Sequence, residues 1–149
     1  MKKFILLFSI LFLVPTFVNA ESNTVKLSKC VDGDTARFII DGREYSTRFL
    51  AIDTPETKHP KKKVEPYGKE ASNYTCNSLK KASKIVLEYD SNSTKEDKYG
   101  RRLAWVFVDG ELLQKKLVNK GYAKVAYLYG DYKYTDELKM IEKSAKSKK

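Results

Sequence analysis

Three short clusters in this sequence bring together side chains of unusual chemical potential. The first is Asp32-Gly33-Asp34-Thr35, the second is Arg48 with Asp53-Thr54-Pro55-Glu56-Thr57, and the third is Asp97-Lys98-Tyr99-Gly100-Arg101-Arg102. Singly, each has a structural explanation. Asp-Gly is hairpin chemistry, Asp-Thr-Pro-Glu can open a turn or a helix, and Lys-Tyr-Gly-Arg can be a basic turn. Together they hold the parts of a metal-assisted phosphodiesterase. Asp34 and Asp53 are hard oxygen donors, suited to Ca²⁺ or Mg²⁺ and not to a soft metal. Glu56 can act as a base or orient an attacking water. Arg48 and Arg101 are planar, permanently charged forks that match phosphate oxygens. Attack on a phosphodiester builds negative charge on the equatorial oxygens, and two fixed guanidiniums with a divalent cation meet that charge.

These parts must be positioned by the elements between them. Val25 to Val31 reads as a first strand and Thr35 to Ile40 as a second. Asp41-Gly42 is a two-residue hairpin signal, and Glu44 to Ile52 completes a three-stranded meander. Asp34 then opens the second strand and Asp53 follows the third, so the hairpin sets them side by side. Strict alternation along the third strand puts Arg48 and Asp53 on opposite faces, so aiming both at one site requires a bulge or curl near residues 50–52. Thr54 to Pro66, with three prolines, His59 and Lys61-Lys62-Lys63, is a long solvated loop. Tyr67 to Ala82 reads as a helix entered at Pro66. Ile85 to Tyr89 and Leu103 to Val108 are a fourth and fifth strand, the latter closed by Asp109-Gly110. Leu112 to Lys120 is a second helix stopped by Gly121. Tyr122 to Tyr129 is extended, and Thr135 is placed to cap a last helix whose Leu138, Ile141 and Ala145 share a face. Five strands with a helix after the third fit a small closed barrel of the OB type or an open α+β sheet.

The chain has 149 residues and a formal charge of +10. Lys2 and Lys3 account for two of those charges, leaving +8 on residues 21–149. That length supports one domain with one core, not a large multidomain enzyme or a doubly wound sheet with a separate substrate domain. The surplus points to a polyanionic partner. Residues 1–20 read as a signal peptide: Lys2-Lys3, an apolar run from Phe4 to Val18, and Ala20 before the expected cut. The run is short for a bilayer span, although an uncleaved anchor is the alternative. The mature chain is expected to be secreted. In that oxidising setting Cys30 and Cys76 could form one bridge or stay as two thiols, because geometry decides. The sole histidine, His59, rules out a His/Cys zinc cluster.

Four segments in order carry a resemblance to the thermonuclease family, of staphylococcal (micrococcal) nuclease type. They are Val31-Asp32-Gly33-Asp34-Thr35, Asp53 through Lys62, Asp97-Lys98-Tyr99-Gly100-Arg101, and Ala123-Lys124-Val125-Ala126-Tyr127. The similarity runs from about Val25 to Leu138. It implies an α+β, mainly β fold, a five-stranded OB-fold barrel with three α-helices, over residues 21–149. It implies Ca²⁺-dependent hydrolysis of DNA and RNA to 3′-phosphorylated products; the sequence itself carries no clear oligomer signal, so a monomer with no stable protein partner is the default expectation. Residue by residue, it makes Asp34, Asp53 and the Thr54 carbonyl Ca²⁺ ligands, with Asp32 in the outer shell. Arg48 and Arg101 bind the scissile phosphate, and Glu56 positions or deprotonates the water. Lys98 and Tyr99 match terminal-phosphate positions, and Tyr127 and Tyr129 match a nucleotide pocket where stacking tolerates any base. Arg102 departs from the pattern. Neighbouring side chains in an extended segment point opposite ways, so only one of the two should reach the phosphate, and the resemblance makes it Arg101, which follows Tyr99-Gly100.

Two rival readings differ in kind. A catalytically silent binding module would lack the acids and arginines, yet Asp34, Arg48, Asp53, Glu56 and Arg101 are all present. A cationic membrane-surface protein would need a strongly amphipathic basic helix, for which Tyr67 to Ala82 and Leu112 to Lys120 are too short and mixed.

Overall fold

A computed structural model describes residues 3, 4, 10, 12–15, 20–57 and 65–147. His59, the Lys61–Lys63 run and most of the expected signal peptide lie outside the described residues.

Strand β1 (Ser22–Cys30) pairs antiparallel with β2 (Thr35–Ile40), and β2 with β3 (Arg43–Phe49). The β2–β3 hairpin turns at Asp41 and Gly42, whose φ values of 49° and 82° are those a two-residue turn of this hand requires. On its other edge β1 pairs with β5 (Ile85–Glu88), and β5 pairs with β6 (Arg102–Val108). Parallel pairing of β3 with β6, Thr47 opposite Arg102 through Phe49 opposite Ala104, closes the ring. The result is a five-stranded barrel, and closure removes the exposed sheet edges. The open-sheet alternative is thereby excluded.

The barrel interior is filled by Phe38, Phe49, Leu87 and Trp105, all almost fully buried. A short β7 (Glu111–Leu112) leads into α2 (Leu113–Asn119), which buries Leu113, Leu117 and Val118. α3 (Thr135–Ser147) packs on α2 and buries Leu138. Thr135 is the first residue of that helix and not a cap before it. Its hydroxyl oxygen is buried without a hydrogen-bond partner among the described residues. The capping expectation is therefore corrected: folding Thr135 into the helix turns its side chain into the core.

The third strand also ends earlier than its composition predicts, at Phe49 rather than Ile52. Ala51 adopts φ 65°, a left-handed conformation that costs a non-glycine residue about 1–3 kcal/mol. Bonds on both sides hold it: the Leu50 N–H donates to the Ala104 carbonyl (3.0 Å), and the Ala51 carbonyl accepts from the Ala126 N–H (3.0 Å). Buried Gln114 braces the same curl. Its amide donates to the carbonyls of Ala104 (3.1 Å) and Leu50 (3.4 Å), while its oxygen accepts from the Val106 N–H (3.1 Å). Beyond the curl, β4 (Ile52–Asp53) pairs with β8 (Lys124–Val125).

Helix α1 (Gly68–Lys81) is fastened to the β1–β2 turn twice. Cys30 and Cys76 form a disulfide with Cα atoms 5.5 Å apart, which resolves the alternative that geometry had to decide. One residue earlier, the Thr75 hydroxyl donates to the Gly33 carbonyl at 2.7 Å.

Candidate active site

The curl delivers what strand alternation alone denies. By turning the chain at Ala51, it brings Asp53 round to the face that carries Arg48. One terminal nitrogen of Arg48, Nη2, lies 3.3 Å from Asp34 Oδ2 and 3.6 Å from Asp53 Oδ1. The other, Nη1, donates to the carbonyls of Phe49 (3.0 Å) and Ile52 (2.9 Å). The guanidinium is thus clamped by the curl it bridges and presents one edge to two converging carboxylates. The Tyr127 ring lies 5.4 Å from its carbon, and the Tyr129 ring is 6.4 Å from that of Tyr127. Tyr127 and Tyr129 are exposed, so stacking surface is available beside the charged centre.

Asp34 is buried but well held. Its Oδ2 accepts from the Thr54 N–H (3.0 Å) and its Oδ1 from the Thr35 hydroxyl (2.9 Å). Its own N–H donates to Asp32 Oδ1 (3.1 Å). The turn is tight enough to demand glycine at position 33, since a β-carbon there would stand only 2.9 Å from Thr54 Cβ. Burial, then repulsion from the Asp34 carboxylate, pushes the Asp32 carboxyl up to about 7. Burial and Asp34 likewise raise Asp53, opposed by Arg48 and by Lys124, whose Nζ is 3.8 Å from Asp53 Oδ2. Crowded carboxylates of this kind call for a cation. Among the described residues no group of three or more His, Cys, Asp or Glu side chains is arranged around a metal. Asp34 and Asp53 are hard oxygen donors that converge on one place, and their chemistry suits a divalent ion of the Ca²⁺ or Mg²⁺ kind.

Glu56 sits beyond the pair, its carboxylate accepting from the Thr57 N–H (3.2 Å). Its charge adds to the rise of the Asp32 carboxyl, as the last of the causes after burial and Asp34.

The third cluster is organised by Asp97. Its carboxylate accepts from the Tyr99 and Arg101 N–H groups (both 2.9 Å) and from Arg101 Nε (2.7 Å). Burial alone would raise this carboxyl, but those bonds outweigh it and hold it below the ordinary range. Lys98 and Arg101 both lie against the exposed Tyr99 ring, at 5.1 and 5.6 Å. Arg102 turns the other way, onto the Tyr45 ring (4.3 Å) and Glu96 (3.3 Å). Strand register links this cluster to the second. Leu103 stands opposite Arg48 across the parallel β3–β6 pair, and Arg101 precedes that strand by one residue.

Comparison with known proteins gives this arrangement a family. Residues 46–149 match the model of the staphylococcal nuclease homologue family. The chain is 38% identical to a thermonuclease of Staphylococcus hyicus over 131 residues, 88% of this chain and 76% of that one. It is 44% identical to endonuclease YncB of Bacillus subtilis (strain 168) over 126 residues, covering 84% of this chain and 59% of the relative. It is 45% identical to the SPbeta prophage-derived endonuclease YokF of the same strain, again over 84% of this chain but only 42% of the relative. The chain belongs to the staphylococcal nuclease homologue family. It spans roughly half the length of the two Bacillus relatives.

In this staphylococcal nuclease homologue some positioning residues escape a reading of the sequence. Asp97 lies inside a recognised cluster, and its Asp-x-Tyr spacing is that of a side chain bonding its own backbone two residues on. Lys124 falls in a segment that carries the family resemblance but had no role assigned, and Thr75 and Gln114 had no local signal. Their roles come from contacts across 71, 42 and up to 64 positions of chain.

Proposed function

We propose that the chain is a secreted, Ca²⁺-dependent nuclease that hydrolyses DNA and RNA with little sequence preference and leaves 3′-phosphorylated products. The observation that carries this reading is the convergence of Asp34 and Asp53 on the Arg48 guanidinium. The names of its relatives, thermonuclease and endonuclease, support it.

Asp34 and Asp53, with the Thr54 carbonyl, would hold the ion, and Asp32 would stand outside them. When bound, Ca²⁺ supplies positive charge where the phosphoryl oxygens become more negative. The protein's own groups do the rest. Arg48, its Nη1 fixed by two carbonyls, offers Nη2 to a phosphate oxygen. Arg101, oriented through Nε by Asp97, offers its remaining N–H groups to the phosphate and the leaving oxygen. Glu56 positions or deprotonates the attacking water. Lys98 and Tyr99 receive a terminal phosphate, while Tyr127 and Tyr129 stack on bases without reading their edges. The signal peptide is removed after Ala20, and residues 21–149 act as a monomer without a stable protein partner.

The test is incubation of residues 21–149 with single- and double-stranded DNA and RNA, with Ca²⁺ or with chelator. Cleavage is expected with Ca²⁺ only, faster on single strands, and Glu56→Gln should lose most of it. Chelator-resistant cleavage would sink the mechanism, and binding without cleavage would make the chain a silent module. N-terminal sequencing of protein from the culture medium checks export and the Ala20 cut.

A further inference from the structure

We propose that Glu65 is a positioning residue for Glu56, acting on it through both of its backbone polar groups. This rests on the nuclease reading and adds a residue to its machinery. The Glu56 N–H donates to Glu65 Oε2 at 2.8 Å, and the Glu56 carbonyl accepts from the Glu65 N–H at 3.0 Å. Both backbone groups of Glu56 are therefore tied to one residue nine positions away. Glu65 is itself tied to α1, because its carbonyl accepts from the Gly68 N–H at 3.1 Å. Gly68 abuts the other side of the same segment. A β-carbon there would lie 3.0 Å from the Glu56 carbonyl oxygen and 3.1 Å from that of Pro55. Helix α1 is in turn joined to the Asp32–Asp34 turn by Thr75, through the Gly33 carbonyl, and to Cys30 at the end of β1 by Cys76. Thus the chain of contacts from the carboxylate turn, through α1 and Glu65, ends on the backbone of Glu56.

The chemistry explains why an acid serves here. A carboxylate accepting from a backbone N–H makes a charge-assisted bond, stronger than a neutral pair. With Oε2 engaged on that N–H, Glu65 fixes where the Glu56 side chain starts and leaves the proton chemistry to Glu56. Small misplacements of a reacting group cost rate steeply, about 100-fold for roughly 1 Å.

The experiment compares Glu65→Ala with Glu65→Gln in residues 21–149, using Ca²⁺ and a single-stranded oligonucleotide. Glu65→Ala should lower kcat by roughly 10- to 100-fold with little change in KM. Glu65→Gln keeps an acceptor oxygen and should restore most of kcat. In a Glu56→Gln background, Glu65→Ala should add almost no further loss, because residues acting as one unit are not additive. Thermal midpoints, read alongside, should stay close to the parent's. Unchanged kcat in Glu65→Ala overturns the proposal. So does a loss that multiplies with that of Glu56→Gln, or one that follows a fallen thermal midpoint and is not rescued by Gln. An inactive parent chain would overturn the nuclease reading and this one with it, whereas an active parent with an unaffected Glu65→Ala overturns this one alone.

Discussion

Arg48 and Arg101 are aimed by different means, and the difference predicts different sensitivities. Arg48 is held by two backbone carbonyls, so its orientation depends on the curl at Ala51. Arg101 is held by a single carboxylate, that of Asp97. Asp97→Ala should therefore behave as a weakened Arg101→Ala. We expect Arg101→Ala to lower kcat/KM by roughly 100- to 1,000-fold, the scale for removing one oxyanion donor, and Asp97→Ala to lower it less while leaving Asp34 and Asp53 in place. Steady-state kinetics on both variants check this order. The depressed Asp97 carboxyl also has a pH signature. A group whose folded pKa lies below its unfolded value stabilises the fold above the unfolded value and loses that contribution as pH falls through the folded one. The Tyr99–Arg101 turn should thus survive acidification to the ordinary value of 3.8 and loosen only below it. NMR titration of the Asp97 carboxyl, followed with the Tyr99 and Arg101 amide shifts, reads this directly.

At the scale of elements, helix α1 serves as a splint for the carboxylate turn. The disulfide closes a separation of 46 residues that contains Asp32, Asp34, Arg48, Asp53, Thr54 and Glu56. Cross-linking a loop of that size is worth about 4 kcal/mol on the chain-entropy account. Replacing both cysteines by serine should lower unfolding stability by roughly that amount, measured by urea denaturation. Activity at low temperature should fall less, because Thr75 still holds Gly33. The turn itself is more sensitive. Gly33→Ala would drive a methyl group into Thr54, displacing the residue whose N–H binds Asp34. A loss of about 1–3 kcal/mol is expected from overpacking, together with a larger loss of Ca²⁺-dependent activity than the double-serine variant shows.

Across the whole molecule the charges divide into a field and a site. Lys26 and Lys29 on β1, Lys69, Lys80 and Lys81 on α1, and Lys139 and Lys143 on α3 are exposed and spread around the surface. On the proposed nuclease reading they would draw in a polyanion without choosing where it binds. Contacts made by Arg48, Arg101 and Lys98 are local. If these three neutralise phosphates of a single strand, the logarithm of affinity should fall with the logarithm of salt at a slope of about −2, at ~0.7 per contact. Lys98→Ala should make that slope shallower by about 0.7, whereas Lys139→Ala should leave it almost unchanged. Fluorescence anisotropy with a non-cleavable oligonucleotide measures both.

Much of this was written locally. Hairpin and helix boundaries follow from Asp41-Gly42, Asp109-Gly110 and Gly121, because turn residues act through their own φ and ψ. The acids and arginines of the candidate site could be named because their chemistry resides in the side chain, and strand alternation, a local rule, allowed only one of Arg101 and Arg102 to reach a phosphate, while the family resemblance chose Arg101. A curl between Leu50 and Ile52 could be shown to be necessary, but not how it is held. Three matters were settled only in three dimensions: the Cys30–Cys76 bridge, closure of the barrel by β3 on β6, and the bracing of Ala51 by Ala104, Gln114 and Ala126. Each depends on groups far apart in sequence meeting within a few ångströms. Local propensity carries no record of such a distance, since it is set by how the whole core packs.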